Sequence, residues 1–146
     1  MHYLPLFRSF FIGLISICSL GSSKNTAAQS IVGKWYQVTV KQWLTDEGAK
    51  KYGKPFVETD MSAIGTVVSE FKSNHTFVTS SGDSKGESRT FSGSWTMDGN
   101  VLTMTDQKTN TSVQSTVTLT SDVLVMETLH PDSKITRKVE ITFKRG

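Results

Sequence analysis

Two histidines beyond residue 28, His75 and His130, are the side chains there whose ordinary pKa lies nearest neutrality. His75 follows Asn74 and His130 precedes Pro131, so both read as solvated turn residues rather than as an acid–base pair. Cys18, the only cysteine, falls in an N-terminal apolar run, which excludes a thiolate metal site from the rest of the chain. Glu58 and Asp60 have the close spacing of a carboxylate pair. A hydrolase of that kind would need both in a cleft with one pKa raised, and a polar connection supplies neither condition. Serine and threonine are abundant, but no Gly-x-Ser-x-Gly elbow activates one. Asn74-His75-Thr76 and Asn110-Thr111-Ser112 match N-glycosylation acceptors, which matter only in a eukaryotic secretory route. No catalytic constellation, metal site or cofactor phrase emerges, and the expectation is a protein that is not an enzyme.

The N-terminus carries an address. Met1 to Arg8 is short and basic, Phe10 to Leu20 is weakly polar to apolar, and Thr26-Ala27-Ala28 places small residues where a signal peptidase cuts. The run is too short for a bilayer span of about 20 residues. Residues 1–28 are therefore expected to be a cleaved signal peptide, with cleavage after Ser23 as the alternative, and residues 29–146 to be one exported domain, periplasmic or extracellular. Lipidation of Cys18 is disfavoured because bulky Ile17 precedes it. Arg8 and Lys24 belong to the leader, so basic residues fall from 16 to 14 against 13 acidic ones and net charge drops to about +1. A near-neutral surface gives no clustered basic face for nucleic acid. With no cysteine left, stability must come from burial and strand pairing.

Beyond Ile31 the dominant pattern is two-residue alternation broken by turn residues, which predicts an all-β domain. Eight strands are expected: Gly33–Gln42, Ile64–Phe71, Thr76–Ser80, Arg89–Met97, Asn100–Thr105, Ser112–Thr120, Asp122–Leu129 and Ile135–Arg145. Asp98-Gly99 reads as a two-residue hairpin turn, and the other links are nearly all too short for crossovers. Such a meander closes into an up-and-down antiparallel barrel more readily than it splits into a sandwich. The Trp43–Ala63 connection is the exception. Thr45 can cap a helix over Asp46–Tyr52, with acids first, lysines last and Gly53 as the left-handed stop. That long link is expected either to lie over the barrel mouth as a lid or to be a plain surface excursion.

Alternation also assigns faces. Ile135, Arg137, Val139, Ile141, Phe143 and Arg145 share one side of the last strand. Phe91, Gly93, Trp95 and Met97 share one side of the fourth, and Val113, Val117 and Leu119 one side of the sixth. In the first strand Trp35, Gln37 and Thr39 would share a face of mixed polarity. Arg145 can stack its guanidinium on Trp35 or Trp95 as a closing pin. Arg137 would face an acidic head group in the lumen or sit at the rim in water.

Gly33-Lys34-Trp35 at the first strand, a basic residue ending the last, and a run of phrases between them resemble the lipocalin superfamily. The phrases are Glu70-Phe71-Lys72 leading into Thr76-Phe77, Gly93-Ser94-Trp95-Thr96-Met97-Asp98-Gly99, Leu102-Thr103-Met104-Thr105, Asp122-Val123-Leu124-Val125-Met126 and Ile141-Thr142-Phe143-Lys144-Arg145. Narrowly, they resemble the small bacterial lipocalin-like domains of exported proteins. The resemblance implies a cup for a small hydrophobic molecule, with Gly33, Trp35 and Arg145 closing the base structurally. The expected lumen is lined by Phe91, Trp95, Met97, Val117, Arg137, Val139 and Ile141, with no cofactor or metal, no nucleic acid and no stable membrane span. The competing expectation is a solid-core barrel acting through its surface, as an inhibitor or envelope interaction module.

Overall fold

The computed structural model describes residues 31–83 and 85–146. The expected leader over residues 1–28, with Cys18, lies outside the described residues. Strands β1 (Gly33–Leu44), β2 (Phe56–Asp60), β3 (Gly65–Phe71), β4 (Thr76–Asp83), β5 (Ser88–Asp98), β6 (Val101–Asp106), β7 (Ser112–Leu119), β8 (Val123–Leu129) and β9 (Thr136–Arg145) form one sheet. Every neighbouring pair is antiparallel, and β1 also pairs with β9, so the sheet closes on itself. Closure removes the free edges that an open sheet would expose.

Nine strands make an eight-position barrel. β2 pairs with the upper part of β1, from Trp43–Phe56 to Thr39–Asp60, while β3 pairs with the lower part, from Tyr36–Val68 to Gly33–Phe71. The two lie end to end along one side of β1. A 3-10 turn over Met61–Ala63, capped by the Asp60 side chain accepting from the Ser62 N–H at 2.9 Å, separates them. The long connection thus contains a strand of its own. Its helix, α1, spans Asp46–Tyr52, with Thr45 as N-cap and Gly53 in the left-handed conformation at φ 69°. The Thr45 hydroxyl also donates to the Lys134 carbonyl, and Thr45 N–H donates to the Ile135 carbonyl at 2.9 Å. Gly48 packs so closely on that carbonyl that a Cβ could not fit. These contacts tie α1 to the β8–β9 link at the rim.

Two local expectations are corrected. The β5–β6 hairpin turns on Gly99-Asn100, with Asp98 paired to Val101 and a positive φ at Gly99. It falls one residue later than Asp98-Gly99. In β1 the pairing to β9 slips between Gln37 and Thr39, a bulge at Val38. An inserted residue flips every later side chain to the other face. Thr39 therefore leaves the Trp35 face, and Val40, opposite Ile141, takes its place.

The core fills the lower half of the barrel. Ile31, Trp35, Phe71, Phe77, Trp95, Leu102, Val117, Leu124, Met126 and Phe143 form one buried cluster, with Met97, Met104, Leu119 and Ile141 packed against it. Phe71 meets Trp95 edge-on at 5.9 Å between centroids. That geometry adds about 0.5–1.5 kcal/mol to area burial. The Trp95 indole N–H donates to the Thr76 carbonyl at 3.1 Å, and His75 lies over the same ring at 4.8 Å.

Candidate functional site

The base is sealed by Arg145. Its guanidinium lies 4.2 Å from the Trp35 ring centroid, while Nε donates to the Ser121 carbonyl at 2.7 Å and Nη1 to the Val32 carbonyl at 3.2 Å. The fully buried Trp35 donates its indole N–H to the Ile31 carbonyl at 2.7 Å. Gly33, at φ 133°, has no Cβ to offer, and one would stand only 3.0 Å from Arg145 Nη1. One planar cation thereby ties the residues just before β1, the β7–β8 link and the β9 end together.

Above this seal the inner wall changes character. In four strands the inward-facing series passes in one step from a buried apolar residue to a hydroxyl: Phe71 to Ser69, Phe77 to Thr79, Val117 to Ser115, and Met126 to Thr128. The hydroxyls pair across strands, Ser69 with Thr79 at 2.9 Å and Ser115 with Thr128 at 2.7 Å. Ser69 and Ser115 are buried although polar. In the eight-position ring β3 and β4 lie opposite β7 and β8, so the pairs face each other across the lumen.

Higher still, inward positions are open. Phe91, opposite Thr79, is 52% exposed, and Val113, on the inward series of Ser115, is 49% exposed. Val67 and Val139 stand half-buried on other walls. On the β3–β5 side a cleft of about 270 Å³ opens, lined by Met61, Ile64, Val67, Ser81 and Arg89 among others. Arg89 continues the inward series of β5 to the rim, whereas Arg137 falls at a second slip of the β1–β9 register, between Trp43 and Leu44, and borders a hollow of the outer wall; both are exposed and make no ion pair among the described residues. Asp106 ends the inward series of β6 and is tied into its own turn. It accepts from Thr109 N–H at 2.7 Å and the Thr109 hydroxyl at 2.9 Å. Those bonds hold its carboxyl below the usual range.

The expected lumen residues thus separate by height. Trp95 and Val117 are buried in the base, Met97 and Ile141 pack against it, and Val139, Phe91 and Arg137 stand progressively nearer the open end. Sequence reading passed over Ser69, Thr79, Ser115, Thr128, Val67, Met61 and Arg89. The first four left a signal, since Ser69 and Ser115 interrupt an inward apolar row with a hydroxyl and Thr79 and Thr128 end one. Met61 left none, because its direction depends on the 3-10 turn. Among the described residues no group of three or more His, Cys, Asp or Glu could hold a metal ion, and no helix is long and apolar enough to cross a membrane.

On the outer wall, Trp43 packs on Phe56 at 5.2 Å, with Lys41 and Lys138 at 4.5 and 5.3 Å from the indole. Lys138 pairs with Glu127 at 3.3 Å, and Leu129 nearby is 71% exposed. A shallow hollow of about 360 Å³ lies beside Trp43, Leu129, Arg137 and Lys138.

No curated protein matches the chain. A lipocalin-like protein from Bacteroides uniformis has a similar structure, with TM-score 0.54 and 13% identity over 80% of this chain and 99% of that one. An uncharacterized protein from Bacteroides eggerthii gives TM-score 0.52 and 12% identity over 79% and 98%. At such identity the likeness is one of fold. The family described as the lipocalin-like domain matches residues 31–126, more than half of the sequence, and this chain belongs to that family.

Proposed function

We propose that the protein is an exported, non-enzymatic carrier or receptor for a small hydrophobic ligand, held in the upper half of the barrel above the aromatic base. The observation that carries this reading is the exposure of Phe91 and Val113 on the inner face. A side chain turned into a barrel and left in water has apolar area still to bury, worth about 25 cal/mol per Å². Membership of a family whose fold generally serves hydrophobic binding supports it. Of the expected lining, Phe91 and Val139 are the residues this reading places at the ligand, Trp95, Met97, Val117 and Ile141 act from beneath, and Arg137 stands at the rim beside the outer hollow. The leader over residues 1–28 and periplasmic or extracellular delivery belong to the same proposal.

The test is a titration of purified protein with 6-propionyl-2-dimethylaminonaphthalene, a compact apolar fluorophore. Saturable binding is expected, and Phe91→Ala should weaken it roughly tenfold, the equivalent of about 1.4 kcal/mol of lost contact. Unsaturable binding would sink the cup reading.

The outer patch of Trp43, Phe56 and Leu129 favours the second reading, a barrel working through its surface, because Leu129 is the most exposed large apolar residue among the described residues. Binding abolished by Leu129→Asp and untouched by Phe91→Ala would transfer the function there.

A further inference from the structure

The hydroxyl pairs at mid-height specify the chemistry of the ligand. Each hydroxyl carries one donor and two acceptor sites. Within a pair one O–H donates to the other oxygen, so one O–H per pair is left over. For Ser69–Thr79 and Ser115–Thr128 no further partner of these side chains exists among the described residues. Two spare donors therefore sit on opposite walls, just above the last buried apolar layer of Phe71, Phe77, Val117 and Met126. A buried donor without an acceptor costs about 1–3 kcal/mol. Above them come Phe91, Val113, Val67 and Val139, and then Arg89 at the rim. The polarity runs hydroxyl floor, apolar wall, cationic rim.

On this basis we infer that the ligand is a compact amphipath that enters polar end first, setting a carbonyl or comparable neutral acceptor between the two hydroxyl pairs with its apolar body against Phe91 and Val113. The inference rests on the cup reading above. Depth fixes the size. From Thr79 to the end of β4 is four residues, and from Ser115 to the start of β7 three. At about 3.3 Å per residue and a tilt near 40° the cup is roughly 8–10 Å deep. A bicyclic ring or a chain of about eight carbons fills that depth, whereas a long-chain fatty acid would protrude into water.

The experiment compares the propionyl naphthalene with its 6-propyl analogue, which lacks the acceptor, on the wild type and on the variant S69A/T79V/S115A/T128V. Removing both partners of each pair leaves no orphaned hydroxyl, so the variant should fold with near wild-type stability. The wild type should bind the ketone about tenfold more tightly than the propyl compound, as one or two neutral hydrogen bonds allow. The bound ketone should emit to the red of its emission in an aprotic solvent, the signature of a hydrogen-bonded carbonyl. In the variant the preference should vanish and the emission should move to the blue. The pairwise variants S69A/T79V and S115A/T128V should each lose part of both effects, and they carry the test if the fourfold variant does not fold. If the ketone binds saturably with the same affinity and colour in wild type and variant, the head-first inference is wrong while the cup reading stands. If neither probe binds the wild type saturably, both fall. Decanoate competing more weakly than octan-2-one would support the depth argument, and palmitate outcompeting both would overturn it.

Discussion

Replacing Arg145 tests the sealing of the base most directly. Arg145→Ala removes a guanidinium 4.2 Å from the Trp35 ring and two charge-assisted hydrogen bonds, to the Ser121 and Val32 carbonyls at 2.7 and 3.2 Å. The stack contributes about 1 kcal/mol when partly exposed. A bond from a charged donor contributes about 1.5–3 kcal/mol when dry, and water beside this exposed residue reduces each to about 1 kcal/mol. The expected loss is therefore about 2–3 kcal/mol. At about 4 °C per kcal/mol for a domain of this length, the melting temperature should fall by roughly 8–12 °C. Arg145→Lys separates charge from shape. A lysine keeps the positive charge but has no planar fork to reach Ser121 and Val32 while covering the indole, so it should recover less than half of the loss. Urea unfolding followed by far-ultraviolet circular dichroism measures all three proteins. A lysine variant as stable as the wild type would refute the argument, because it would make Arg145 a mere charge. Ketone binding should change less than twofold in either variant, since the seal lies below the cup.

Further outcomes follow from other contacts. Gly33→Ala should cost about 1–3 kcal/mol, because φ 133° strains any L side chain and its Cβ would crowd Arg145 Nη1 at 3.0 Å. Urea unfolding of Gly33→Ala, Arg145→Ala and the double variant should show a non-additive combination, since part of the cost is the crowding itself. The depressed carboxyl of Asp106 gives a pH signature, with a native value below the unfolded value near 3.9. Its contribution is present above about pH 4 and is lost as pH falls through the native value. The gap in urea midpoint between wild type and Asp106→Ala should be full at pH 7 and close towards pH 2, and a gap independent of pH would contradict it. Expression of the full chain in an exporting bacterial host should yield a processed protein beginning near Gln29. An intact N-terminus on the exported product would remove the leader from the proposal.

The strand count separates what is written locally from what pairing decides. Period-two alternation, polar turns and short links marked all eight positions of the barrel, because each strand buries one face and that requirement is written locally. The helix over Asp46–Tyr52 was legible for the same reason, its cap, charges and stop being neighbours in the chain. β2 was not. Five residues, Phe56–Asp60, carry too few alternations to stand out, and only their pairing with β1 makes them a strand. The bulge at Val38 was equally hidden. It arises from the fit of β1 against β9 and exchanges Thr39 for Val40 on the inner wall.

Local alternation and turn residues marked an all-β meander and most of its inward rows, since each strand's burial is written residue by residue, and the phrases running from Gly33-Lys34-Trp35 to Arg145 carried the lipocalin resemblance. Which parts of those rows are core and which are cup was decided only in three dimensions. Trp95 and Phe91 lie four positions apart on the same face of one strand, yet Trp95 is buried against Phe71 and Phe91 is half in water. Strand tilt and register set how much of each row its neighbours cover, and the same register brings Ser69 to Thr79 and Ser115 to Thr128 across opposite walls. Depth inside a barrel is a property of the closed sheet, and no strand carries it alone.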